Sequence, residues 1–121
     1  MSYKIAVAST DGKVVNQHFG RAEKFYILEV NDDNEFYYVE ERDNIASCNG
    51  GTHSDEGLNL TVQLLIDCKY VLVSQIGPVA EYALSKKGVT AFAISHYIEE
   101  AVKKLIHFNS EIKINKGSLG N

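Results

Sequence analysis

Cysteine is scarce in this chain. Cys48 and Cys68 are the only two among 121 residues. No CxxC or CxxxCxxC spacing exists, so cysteine alone cannot enclose zinc or an iron–sulfur cluster. Two thiols without such a framework read as free thiols rather than a disulfide. A basic surplus is lacking as well: 12 Lys and Arg stand against 16 Asp and Glu, a net charge of −4. Proteins that grip a nucleic-acid backbone usually show the opposite balance, so nucleic acid is disfavoured as a partner. The pairs Lys86-Lys87 and Lys103-Lys104 read as solvated helix surface. No apolar run approaches the ~20 residues of a membrane-spanning helix. The start, Met1-Ser2-Tyr3-Lys4, enters a strand without the apolar core of a signal peptide. The expectation is a cytoplasmic protein with no membrane partner.

What is present suits one globular domain over residues 1–121, at 45% hydrophobic and 23% charged. Tyr3 to Ser9 is continuously apolar at Ile5, Ala6, Val7 and Ala8, the mark of a strand buried on both faces. Strands at Lys24–Val30 and Glu35–Arg42 flank the polar turn Asn31-Asp32-Asp33-Asn34 and form an antiparallel hairpin. Beyond a loop ending in Asn49-Gly50-Gly51, apolar residues fall at Leu58, Val62, Leu65 and Ile66, the spacing of one helix face. Thr52 or Ser54 can cap this helix, which runs to about Cys68. A buried strand at Tyr70–Ser74, a helix opened by Gly77-Pro78 and closed by Gly88, and a strand at Val89–Ile94 follow. A third helix covers His96 to Phe108, and the tail from about Asn109 is expected to fray.

The order β-β-β-α-β-α-β-α predicts an α/β, ribonuclease-H-like arrangement: a mixed five-stranded sheet with helices on its faces. The loops leaving the carboxyl ends of its parallel strands gather at one edge. The loop after the first strand, the Ser74-Gln75-Ile76-Gly77 turn and the loop entering the first helix can then face one crevice.

Two stretches carry candidate chemistry. The first is His18-Phe19-Gly20-Arg21. It supplies a metal ligand, an aromatic anchor for the core, a free backbone angle and a cation. That combination suits a large anionic cofactor held at a surface; the plainer reading has His18 in water and Arg21 at a strand end. The second is Cys48-Asn49-Gly50-Gly51-Thr52-His53, beside a helix start. A thiolate and an imidazole can ligate iron, and helix-start amides favour an anion. The alternative there is a loop with a capping threonine and an incidental thiol. With two glycines and no large apolar residue, the stretch is expected to be mobile without cargo. His96 and His107, about 16 Å apart along one predicted helix, cannot share a metal. Cys68, after Leu65 and Ile66, reads as core.

YKIAVAS, then VNQHFGRAEKFYILEV, then the glycine- and histidine-containing loop and YVLVSQIGPVAEYALSKKGV resemble the dinitrogenase iron–molybdenum cofactor biosynthesis family. This is the domain of NifX-like proteins and of the C-terminal part of NifB. The resemblance spans about Lys4 to Leu105, with HFGRA its most specific piece. It implies binding and carriage of an iron–sulfur-based cluster, the iron–molybdenum cofactor or its precursor, as cargo. It also implies an escort rather than an enzyme, with other cofactor-assembly proteins as partners. The motif histidine maps onto His18. The candidate site is then His18, Phe19, Gly20, Arg21, Gly50, Gly51 and Thr52 around the cargo, with His18, Cys48 and His53 on its metals. Two rivals remain. A ribonuclease-H-class nuclease needs a carboxylate inside the first strand, and YKIAVAS has none. A cofactor-free regulatory or interaction domain reusing the fold is the other.

Overall fold

The computed structural model describes residues 2–45 and 55–119, with side chains over 2–45 and 56–112. Its elements are β1 (Tyr3–Ala8), a 3-10 turn (Phe19–Arg21), β2 (Lys24–Val30), β3 (Phe36–Asp43), α1 (Asp55–Leu64), β4 (Tyr70–Val73), α2 (Pro78–Ser85), β5 (Thr90–Ala93) and α3 (Ile98–Leu119). The strands form one mixed sheet in the order β3-β2-β1-β4-β5. The pairs β1–β2 and β2–β3 are antiparallel, whereas β1–β4 and β4–β5 are parallel.

The unbroken apolar runs follow from this layering. Alternate residues of β1 point to opposite faces, and both faces are covered. Ala6 and Ala8 join Phe25, Ile27, Val71 and Val73 beneath Leu58, Val62 and Leu65 of the α1 region and Leu84 of α2. Ile5 and Val7 join Leu28, Val30, Tyr70 and Leu72 against Ile98, Ala101, Val102 and Leu105 of α3. Gly77 is the N-cap of α2, with Pro78 just inside it. Gly88 follows the helix at φ 80°, a left-handed conformation that glycine adopts without strain.

Two elements depart from the sequence reading. α1 ends at Leu64 instead of about Cys68, so Ile66 leaves the apolar face and is 48% exposed. Arg42 Nη1 donates to the Leu64 carbonyl at 2.8 Å, while the Cys68 amide donates to Leu65. The acceptor that a further helical turn would use is thus occupied by a guanidinium. α3 begins only at Ile98, which leaves His96 before the helix, and continues past Phe108 to Leu119. Asn109 explains the continuation: it is buried, and its Oδ1 accepts from Lys69 Nζ at 2.7 Å and Tyr70 Oη at 2.6 Å.

Arg42 also grips Asp67 through both guanidinium nitrogens, at 2.7 and 2.8 Å. That contact, helped by Lys4, holds the Asp67 carboxyl well below the usual carboxylate range. Because the folded-state value lies below the unfolded one, the stabilisation is complete above the unfolded pKa and is lost as pH falls. Asp67→Asn should therefore be less stable than the parent above about pH 5, with the gap narrowing below about pH 4. Urea denaturation across that range measures it; a gap independent of pH would refute the assignment.

Candidate binding cavity

The carboxyl ends of β1, β4 and β5 share one edge of the sheet because these strands are parallel. The loop leaving β1 crosses this edge and is tied to the turn leaving β4 by backbone bonds. The Ser74 amide donates to the Gln17 carbonyl at 3.0 Å, and the Phe19 amide to the Gln75 carbonyl at 2.9 Å. His18 and Gln75 form an isolated parallel bridge between them. Buried Asn44 holds the far side of the loop, with its Nδ2 donating to the Ala22 carbonyl and its Oδ1 accepting from Thr61 of α1.

Within the 3-10 turn successive side chains are about 120° apart, so neighbours in sequence face different ways. His18 and Arg21 are exposed, whereas the Phe19 ring is 1% exposed and packs on Phe25 with centroids 6.1 Å apart. A cavity of about 320 Å³ lies above, lined by His18, Gly20, Arg21, Leu58, Gln75 and Ile76, and by Gly77 to Ala80. The structure thus brings His18, Gly20 and Arg21 together and places Phe19 beneath them. Phe19, counted among the cargo contacts by sequence, lines no part of the cavity, because its ring fills the core. Gly20 also differs: the left-handed residues are Asn34, Gly12 and Gly88 among those described. Gly20 therefore contributes a wall without a side chain, not an unusual backbone angle.

The cavity's charge is favourable to an anion. Arg21 lines it and has no ion-pair partner among the described carboxylates. The α2 amides at Val79 and Ala80 lie in the first helical turn, where no intrahelical acceptor exists, and Gly77 supplies no side-chain cap. Among the described lining residues there is no carboxylate and no thiol. The α2 amides are the part of the cavity that the sequence marks least, its signal being Gly77-Pro78 a short turn after a buried strand.

Among the described residues, no three His, Cys, Asp or Glu side chains gather to hold a metal ion. Cys68 is buried, and burial, followed by the Asp67 charge, pushes its thiol up to about 12, which keeps it protonated. It is core, as its position suggests. Cys48, Gly50, Gly51, Thr52 and His53 lie outside the described residues, as does the loop they were expected to form. No described helix is long and apolar enough to cross a membrane.

Fold and cavity define a small α/β domain with an open, cation-bearing cavity at the carboxyl edge of its parallel strands. Residues 1–107 match the family described as "Dinitrogenase iron-molybdenum cofactor", and the chain belongs to it. It is 38% identical over 104 residues to the FeMo cofactor biosynthesis protein NifB of Frankia alni, covering 84% of this chain and 20% of that protein. It is 32% identical over 98 residues to NifB of Chlorobaculum tepidum, covering 81% and 22%. The chain therefore spans about a fifth of the length of these relatives. The fold is similar to that of the apo form of the orange protein from Desulfovibrio gigas, with TM-score 0.64, 23% identity, and 87% and 88% of the two chains covered.

Proposed function

We propose that this domain binds and carries an iron–sulfur-based metallocluster, the iron–molybdenum cofactor or its precursor, during cofactor biosynthesis. The observation that carries the reading is the convergence of His18, Arg21 and the α2 amides on one cavity. His18 gives the cargo one imidazole ligand. Arg21 and the first turn of α2 offset its negative charge. Cys48 and His53 are further candidate ligands, with Gly50, Gly51 and Thr52 beside them. One imidazole among the described lining residues suits a cluster that arrives assembled with its own sulfides. In this reading the domain is an escort rather than an enzyme. Membership of the family, and likeness to relatives named for iron–molybdenum cofactor biosynthesis, supports other assembly proteins as donors and acceptors; the compartment we assign is the cytoplasm. The strand order β3-β2-β1-β4-β5 supports the ribonuclease-H-like reading of the architecture.

The test is anaerobic mixing with an iron–sulfur donor followed by desalting. The protein should retain iron and sulfide and turn brown; an unchanged spectrum would favour the cofactor-free interaction domain. Arg21→Glu tests the electrostatic part. Reversing this charge should weaken cluster binding about tenfold at low salt, with the difference shrinking as salt screens it. Equal affinity of variant and parent at low salt would remove Arg21 from the site.

A further inference from the structure

The two edges of the sheet differ in a way that cargo binding does not use. The β3 edge is blocked by charge, since Glu40, Glu41, Arg42 and Asp43 fill the second half of the strand. Natural sheets use such charges to prevent edge-to-edge pairing. The β5 edge reads Thr-Ala-Phe-Ala and carries none. The Thr90 amide donates inward to Lys69 and the Ile94 amide to Val73. By the alternation of a strand, the N–H and C=O groups of Ala91 and Ala93 therefore point away from the sheet.

α2 flanks this edge. A groove between them is lined by Pro78, Glu81, Tyr82, Ser85, Thr90 and Ala91, with Tyr82 64% exposed. α2 runs antiparallel to β5, and the Val89 amide donates to the Leu84 carbonyl. Lys86, whose Nζ lies over the Tyr82 ring at 5.4 Å from its centroid, is thus at the Thr90 end. Glu81, in the first helical turn, is at the Ala93 end.

We propose that the β5 edge pairs antiparallel with the β5 edge of a second copy of this chain, about a two-fold axis at Phe92. Ala91 of each copy then exchanges both backbone hydrogen bonds with Ala93 of the other, which makes four bonds. The antiparallel arrangement brings the Thr90 end of one copy to the Ala93 end of the other. Lys86 accordingly meets Glu81 of the second copy, and the symmetry repeats the pair. Charge complementarity selects a second copy as the occupant. The alanine side chains leave room for the two α2 helices, and Tyr82 is covered between them. A four-residue strand and an eight-residue helix make a small patch, so the dimer is a concentration-dependent one.

Sedimentation equilibrium of the full chain over a range of concentrations tests this. The average mass should rise from 13.4 kDa towards twice that value. Lys86→Glu should weaken association about tenfold, and Lys86→Glu combined with Glu81→Lys should restore it. A mass of 13.4 kDa at every concentration would overturn the proposal and leave the edge to a different protein. A dimer indifferent to Lys86→Glu would overturn it by placing the contact on another surface.

Discussion

His18→Ala should lower the iron retained after anaerobic loading at least about tenfold, while the melting temperature moves by less than about 3 °C. The asymmetry follows from geometry. The His18 side chain is exposed and lines the cavity, so truncation removes the proposed ligand without opening the core. The bonds that seat the loop, Ser74 to Gln17 and Phe19 to Gln75, are backbone bonds and survive the substitution. Iron analysis and a thermal melt on the same preparation decide the matter. Undiminished retention would refute the ligand role, and a large loss of melting temperature would make His18 structural.

Phe19→Ala, one residue away, should do the reverse and cost about 3–5 kcal/mol of folding stability. The ring is 1% exposed and packs with Phe25, Ala22, Leu58 and Ala80 in the core beneath the cavity. Its removal leaves a void that β1 and β2 cannot close without shifting the sheet. Phe19→Leu should recover most of the loss, because a large apolar group still fills the site. Cargo retention should follow stability in this pair, falling in Phe19→Ala and returning in Phe19→Leu. Urea unfolding gives the energies. A Phe19→Ala protein as stable as the parent would show that the ring does not anchor the loop, and a fully stable Phe19→Leu that retains no cargo would give Phe19 a direct contact.

Much of the architecture was legible because the local signals agree with one another. The β2 end at Val30 follows from the polar turn after it. Gly77-Pro78 marks the start of α2 to the residue, since proline's missing N–H is harmless there. Helix ends were read less well. Leu65 and Ile66 continue the period of α1, yet Arg42, from a strand distant in sequence, occupies the Leu64 carbonyl and stops it. Asn109 resembles a place to fray, yet Lys69 and Tyr70 bury it, and α3 runs on.

The amino-acid sequence by itself determined the order of strands and helices, the two-faced burial of β1 and β4, and the run His18-Phe19-Gly20-Arg21. These depend on periodicity, turn chemistry and composition, which are local. Tertiary structure decided what that run faces. The parallel pairing of β1 with β4 carries Gln75–Ala80 beside His18, and the 3-10 turn sends Phe19 inward while His18 and Arg21 point out. It also decided that Ile66 is exposed, that Asp67 is held by Arg42, and that β5 rather than β3 is the uncharged edge. Each of these rests on contacts between residues far apart in the chain. No local pattern encodes such contacts, because they exist only once the sheet has closed and its two helical layers have packed.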